Sequence, residues 1–189
     1  MKDYLFKSER LGFRCWTLED LPAFAAMNAD PEVMEHFPNT LTREETAAFI
    51  ERLQNHYSEN GYCYFATEEL ESGEFIGFIG LAHIRYEASF TPAVDIGWRL
   101  KKAAWGKGYA TEGAKRCLDL AFHDLQIDQI VATCTAGNQR SENVMKKIGM
   151  AKKMNFKHPA LKEYPAYEDC FCYEIDSESW TAINAKGRA

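Results

Sequence analysis

Residues 98–112 read Trp98-Arg99-Leu100-Lys101-Lys102-Ala103-Ala104-Trp105-Gly106-Lys107-Gly108-Tyr109-Ala110-Thr111-Glu112. Two periodicities meet here across two glycines. Upstream, Val94, Ile96, Trp98 and Leu100 alternate with Asp95, Gly97 and Arg99, the period of two that predicts a strand. Downstream, from Tyr109, residues Ala110, Ala114, Cys117, Leu118, Ala121, Phe122 and Leu125 share one face of a predicted helix. Gly106 and Gly108 make the turn between them. Glycine permits backbone angles that other residues avoid and leaves its N–H uncovered. A helix start adds unsatisfied donors and a positive dipole end, so the element can hold a pyrophosphate without a cationic cluster. It is not a Walker A loop, and a dinucleotide fingerprint needs glycine or alanine where Thr111 stands. On the glycines alone, a tight turn that binds nothing stays open.

Towards the N-terminus, a strand is expected at Leu11–Trp16. Thr17 with Asp20 forms a capping box before a helix through Leu21, Phe24 and Met27. Thr42 with Glu45 forms a second, before a helix carrying Phe49, Ile50, Leu53 and Tyr57. Tyr62–Thr67 and Phe75–Ile84 read as strands joined by a hairpin over Glu71-Ser72-Gly73-Glu74. Towards the C-terminus, a strand at Ile130–Thr135 and a helix at Ser141–Ile148, stopped by Gly149, precede strands at Ala151–Phe156 and Asp169–Ile175. This order predicts a mixed α/β sheet with helices on its faces.

The 189 residues are 46% hydrophobic and 26% charged, without repeat, low-complexity tract or linker, so a single domain over residues 1–189 is expected. The 22 Lys and Arg against 28 Asp and Glu leave a net charge of −6, which argues against nucleic acid or an anionic membrane as partner. The opening MKDYLFKSERLGF has no continuous apolar run of the signal-peptide kind. The longest apolar stretch, Phe75–Ile84, is too short to span a bilayer. Cys15, Cys63, Cys117, Cys134, Cys170 and Cys172 are scattered, with no metal-ligand spacing. The expectation is a cytoplasmic chain with reduced thiols and no metal, a monomer or homodimer.

Trp105-Gly106-Lys107-Gly108-Tyr109-Ala110-Thr111-Glu112 resembles the acetyl-CoA pyrophosphate loop of the GCN5-related N-acetyltransferases, and more narrowly the RimJ/RimL-like branch that acetylates ribosomal-protein N-termini. Asp95-Ile96-Gly97-Trp98 is similar to that branch's Ile-Gly-aromatic strand before the loop. Asn138-Gln139-Arg140-Ser141, in a segment ending Ile148-Gly149-Met150, is similar to its Asn-x-x-Ser element. Weaker echoes at Arg10-Leu11, Asp30–Met34, Asp169–Tyr173 and Trp180 extend the resemblance over nearly the whole chain. The fold it implies is the acyl-CoA N-acyltransferase fold. That is a mostly antiparallel sheet, splayed between the fourth and fifth predicted strands (94–100 and 130–135), with helices on both faces.

The resemblance implies acetyl-CoA as cofactor, CoA as product, and a primary amine as acceptor, attacked directly in a ternary complex. Trp105, Gly106, Lys107, Gly108, Tyr109, Ala110 and Thr111 would cradle the pyrophosphate, aided by Lys101 and Lys102. Asp95, Ile96, Gly97 and Trp98 would approach the thioester, with a backbone N–H polarising its carbonyl. Asn138 and Ser141 would hold the cofactor arm, although Asn138 also reads as a helix N-cap. Many relatives place a proton-donating tyrosine where this chain has Met145, which moves the acid role to Ser141 or to water. No general base stands out: Asp95 is the first candidate, His83 the second and Glu168 the third. Weak base machinery fits an α-amine, pKa about 7.7–8.0, better than lysine at about 10.4. A peptide N-terminus is therefore the expected acceptor. A polyamine, amino acid or aminoglycoside is the alternative within the class, and a non-catalytic acyl-CoA-binding module the alternative outside it. The loops Asp30–Pro38, Arg85–Pro92 and Asn155–Glu168 supply the acids and aromatics expected to face the acceptor: Glu32, Glu35, His36, Phe37, Tyr86, Glu87, Phe90, His158, Tyr164, Tyr167 and Glu168.

Overall fold

The computed structural model describes residues 3–186. Along them the chain forms β1 (Phe6–Lys7), β2 (Leu11–Arg14), α1 (Leu21–Asn28), α2 (Arg43–Asn60), β3 (Tyr64–Glu69), β4 (Phe75–His83) and β5 (Val94–Leu100). There follow α3 (Tyr109–Asp119), β6 (Gln129–Thr135), α4 (Gln139–Lys147), β7 (Ala151–Lys157), α5 (Pro165–Glu168), β8 (Asp169–Asp176) and α6 (Ser177–Lys186). The eight strands make one sheet in the order β1-β2-β3-β4-β5-β6-β8-β7. Every pairing is antiparallel except β5 with β6.

The expected elements are present, and three differences have local causes. Two-residue β1 is held as an edge strand by Phe6↔Phe13 pairing and by stacking of those two rings at 4.5 Å. It is too short to show a period. The strand expected from Tyr62 begins at Tyr64, because Tyr62 and Cys63 precede the ladder although both are buried. Helix α6, from which only Trp180 had been singled out, has no clean apolar face. It docks through buried Trp180, whose indole N–H donates to Oδ1 of Asp119 at 2.9 Å.

The sheet separates two helical layers. On one face Phe24 of α1 and Phe49 of α2 pack edge-on to Phe78 of β4. On the other, α3 presses Gly113 so close to Ile79, Leu11 and Phe13 that a Cβ there would lie 2.3 Å from the Ile79 Cδ1. Leu11, Phe13, Ile79, Leu81 and Ile96 are buried between the layers. Each such side chain contributes about 1.5–3 kcal/mol of burial. Both capping boxes form: Thr42 N–H donates to Glu45 Oε2 at 2.8 Å, and Thr17 N–H donates to Asp20 Oδ2 at 2.9 Å. Asp20 also joins Arg14 and Glu68 in a buried ion cluster, with contacts of 2.5 and 2.7 Å, that ties the start of α1 to β2 and β3. Removing one partner of such a cluster costs about 3–5 kcal/mol.

Candidate active site

The sheet opens where the parallel pairing of β5 with β6 fails. Strands β5 and β6 pair at Val94↔Ile130 and Asp95↔Val131 and then diverge, opening a cleft of about 680 Å³. The backbone phase of β5 follows from two flanking hydrogen bonds. Ile84 N–H donates to Ala93 C=O at 3.0 Å, and Lys101 N–H donates to Ile76 C=O at 2.9 Å. In an antiparallel ladder such pairs alternate with pairs that do not bond each other. The odd residues from 93 to 101 therefore bond β4, and the even amides turn towards β6: that of Ile96 closes the last parallel pair, Asp95↔Val131, and that of Trp98 is the first beyond the end of the ladder. Ile96, Gly97 and Trp98 all line the cleft.

At the far end of β5 the glycine turn leads into α3. Gly106 and Gly108 have φ of +74° and +83°, the left-handed conformation glycine tolerates best. Nothing lies within 4 Å of a Cβ placed on Gly106, and only Arg10 Nη2, at 3.6 Å, near one placed on Gly108. The first helical rung is Glu112 N–H to Gly108 C=O at 3.0 Å, which leaves the preceding amides of α3 without helical partners. Arg10 braces the turn: its Nη1 donates to Lys107 C=O at 3.1 Å, and its guanidinium pairs with Glu112 at 2.6 Å. Trp105, Gly106, Gly108, Tyr109, Ala110 and Thr111 line the cleft.

The lysines are placed differently from the expectation. Lys107 is exposed, with its Nζ 5.7 Å from the Tyr109 ring, and it is not part of the cleft wall. Lys101 pairs with Glu74, and Lys102 with Glu32. Besides Arg10, a second arginine stands near the turn: Arg140 lines the cleft, with Cζ 4.3 Å from the centroid of the Trp105 ring. An open backbone cradle beside an arginine, continued by a splayed strand whose Trp98 amide lies beyond the ladder, fits an anionic pyrophosphate with an extended arm.

Asn138 caps α4 by accepting the Ser141 N–H on Oδ1 at 3.1 Å, while its residue lines the cleft. Ser141 lines it too, and Met145 is buried in the same wall. The capping and ligand roles of Asn138 are thus compatible, because the cap uses only its oxygen.

Opposite stands Asp95. The Tyr64 hydroxyl donates to Asp95 Oδ2 at 2.5 Å, whereas Oδ1 is buried with no hydrogen-bond partner among the described residues. Burial pushes the carboxyl up to about 7, against the Tyr64 hydrogen bond and the Thr133 backbone, which both favour the ionised form. Tyr64 itself is held well above the usual phenol range by burial and by the neighbouring Asp95. His83 takes no part here. It is exposed at the end of β4, outside the cleft lining, 2.9 Å from the Tyr62 hydroxyl, and its ring lies 5.5 Å from that of His56. Glu168 likewise lies outside the lining and pairs with Lys157 at 2.9 Å.

Of the three loops, Asp30–Pro38 contributes Glu32, His36 and Phe37 to the cleft, and Asn155–Glu168 contributes His158. The Arg85–Pro92 loop contributes none; Tyr86 and Phe90 pack into a small separate cluster with Phe156. Sequence reasoning missed Tyr64 as a partner of Asp95, and Arg99 and Arg140 as cleft residues. For Tyr64 there was a signal: Tyr64, Gly80 and Gly97 stand in register on three adjacent strands, and the two glycines leave a lane for the ring.

The acetyltransferase (GNAT) domain family matches residues 10–151, and the chain belongs to it. Among curated relatives, the uncharacterized N-acetyltransferase YnaD of Bacillus subtilis (strain 168) is 28% identical over 174 residues, covering 92% of this chain and 97% of YnaD. Among solved structures, a GNAT-family acetyltransferase from Bacillus anthracis is 28% identical with a TM-score of 0.74, covering 91% of this chain and 98% of its own. Two more distant structures share the fold. Ribosomal-protein-S5-alanine acetyltransferase from Vibrio fischeri has 19% identity, a TM-score of 0.68 and coverage of 93% and 97%. Spermidine N-acetyltransferase from Vibrio cholerae, in complex with CoA and spermine, has 18% identity, a TM-score of 0.72 and coverage of 91% and 98%. The chain is an acetyl-CoA-dependent acetyltransferase with the GNAT fold. Among the described residues no helix is long and apolar enough to cross a membrane.

Proposed function

We propose that this enzyme acetylates the N-terminal α-amine of a peptide or protein, by direct transfer in a ternary complex, and that it stands with the RimJ/RimL-like branch of the family. The observation that carries the reading is the enclosed Asp95 carboxyl with its Tyr64 partner. A base of pKa about 7 is matched to an α-ammonium at about 7.7–8.0, whereas a lysine ammonium at about 10.4 lies more than three units uphill.

Acetyl-CoA supplies the acetyl group in activated form as a thioester. The Trp105 N–H, expected in the cradle, is already bonded to the Lys102 C=O at 3.0 Å, so the amides from Gly106 to Ala110 and the Arg140 side chain bind the anionic end of the cofactor, and the Asn138 amide holds its arm. The amide of Trp98 donates to the acyl oxygen; losing one such donor costs about 3–4 kcal/mol in other enzymes. Asp95 accepts the proton of the incoming amine on Oδ1, the oxygen Tyr64 leaves free. As the C–S bond breaks, Ser141, on the opposite wall, donates its proton to the departing thiolate and is reprotonated by the proton that the newly bonded nitrogen sheds.

The test is mass spectrometry after incubation with acetyl-CoA and a mixed library of peptides and free amines. Acetylated peptide α-amines are expected. Acetylation confined to polyamines, amino acids or aminoglycosides would overturn this reading, and cofactor binding with no product across the library would make the chain a non-catalytic module.

A further inference from the structure

A second ionisable side chain shares the Asp95 face of β5. Arg99 stands four residues on, so at a rise of about 3.3 Å per residue the two Cα atoms are roughly 13 Å apart. Both residues line the cleft. The guanidinium is held by neutral groups. Its Nη1 donates to Asn28 Oδ1 at 2.8 Å, and Cζ lies 4.3, 5.4 and 5.9 Å from the rings of Phe37, Phe78 and Phe49. Nε is buried with no partner, and no carboxylate among the described residues forms an ion pair with it.

The contrast within the molecule is sharp. Arg14, also withdrawn from solvent, is matched by Asp20 and Glu68 at 2.5 and 2.7 Å. Arg99 has aromatic faces instead, and these attract a cation without neutralising it. Burial pulls its guanidinium down to about 10, which still leaves it charged at neutral pH. A buried charge without a counter-ion is costly, and its open side faces the cleft. The planar fork of a guanidinium matches a carboxylate with two parallel hydrogen bonds.

We propose that Arg99 is the anion-recognition residue of the acceptor site, so that the acetylated amine belongs to a molecule carrying a carboxylate. On the α-amine reading given above, on which the peptide form of this inference rests, the carboxylate sits about two residues from the amine. Two extended residues span about 7 Å, which brings the amine to Asp95 while the acid reaches the end of the Arg99 side chain. An acidic second residue fits.

Calorimetry on the CoA-loaded protein tests this with acid–amide pairs. The probes are C-terminally amidated Ala-Glu-Ala-Ala against Ala-Gln-Ala-Ala, and 4-aminobutyrate against its amide. The expected result is at least tenfold tighter binding of the acid in one or both pairs. In Arg99→Gln that preference falls to within twofold, with CoA affinity unchanged. Arg99→Lys keeps the charge without the fork and retains part of the preference, which covers the case in which Arg99→Gln does not fold. Discrimination within the 4-aminobutyrate pair alone would keep the anion site and discard the peptide reading. Equal affinity of acid and amide in both pairs, binding by no probe, or a preference that survives Arg99→Gln would overturn the proposal. So would an Arg99→Gln protein that loses CoA affinity instead, since the guanidinium would then serve the cofactor.

Discussion

The ring of Tyr64 lies across Gly97 and hands its hydroxyl to Asp95 at 2.5 Å. A Cβ on Gly97 would come within 2.9–3.1 Å of Cε1, Cζ and the hydroxyl oxygen of that ring. The ring cannot swing aside freely, because it is stacked on Phe78 with centroids 5.2 Å apart. A backbone position on β5 therefore sets the distance between a phenol on β3 and the carboxyl beside the cleft.

Tyr64→Phe separates packing from hydrogen bonding at this pair. The lost hydroxyl had favoured the ionised carboxylate, so the Asp95 pKa rises above about 7 in the variant. The acid limb of kcat/KM moves to higher pH, with a lower rate at pH 7 that recovers on the alkaline side. A pH–rate profile from 5.5 to 9.5 checks this. An unmoved limb would remove Asp95 from the reaction.

Gly97→Ala tests the same contact from below. Pushing the ring off the strand costs about 1–3 kcal/mol of stability, the usual penalty of an overpacked site. It also misplaces the Tyr64 hydroxyl, so kcat is expected to fall at least tenfold at saturating cofactor. Thermal melts and steady-state rates give the two readouts.

Asp95→Asn has opposite effects on stability and activity. The folded-state pKa of Asp95 is raised from 3.8 to about 7, so keeping the carboxyl buried becomes more costly as pH climbs through that range. Three units correspond to on the order of 4 kcal/mol above pH 7, and to nothing below pH 4. The amide variant is expected to melt higher than wild type at pH 8, to match it at pH 4, and to lose turnover. Paired melts at the two pH values decide the matter.

Gly108→Glu addresses the cofactor. It forces a side chain into φ +83° and sets a negative charge beside the pyrophosphate cradle, so acetyl-CoA affinity should fall at least 100-fold by calorimetry. Gly61→Ala is the matched control: it bears the same kind of strain at φ +77° at the end of α2, outside the cleft lining, and should leave that affinity alone.

The fold was legible in this sequence wherever one residue pattern had one physical reading. The alternation of Val94–Leu100, the glycine pair and the two capping boxes each specify local geometry, and with the order of elements they give a mixed α/β sheet, while its mostly antiparallel pairing and its splay followed from the family resemblance. Edge strand Phe6–Lys7 was invisible because two residues carry no period, and helix Ser177–Lys186 because its contacts are made by Trp180 and Ile183 against distant elements. The turn at Gly106 and Gly108 was readable because its geometry is local and made of backbone, and the resemblance supplied the ligand assigned to it. The proposed acceptor side was legible only at Asp95: Tyr64 and Arg99 are brought beside it by strand register, and a lone tyrosine in a strand looks the same with or without an acid beside it. His83 illustrates the converse, a histidine of suitable chemistry whose strand delivers it to the surface.

Strand β5 behaves like text with a reading frame. In the mechanism proposed above its odd-numbered side chains Asp95 and Arg99 address the acceptor, with Gly97 between them, while the even-numbered Trp98 amide addresses the acetyl donor. Inserting a single residue between Val94 and Leu100 would exchange the two scripts, burying apolar side chains where the acid and the guanidinium belong. Inserting two would restore them. An insertion that preserves this frame must therefore come in pairs of residues, whereas a substitution at Asp95 or Arg99 leaves the backbone amides of the opposite script in place.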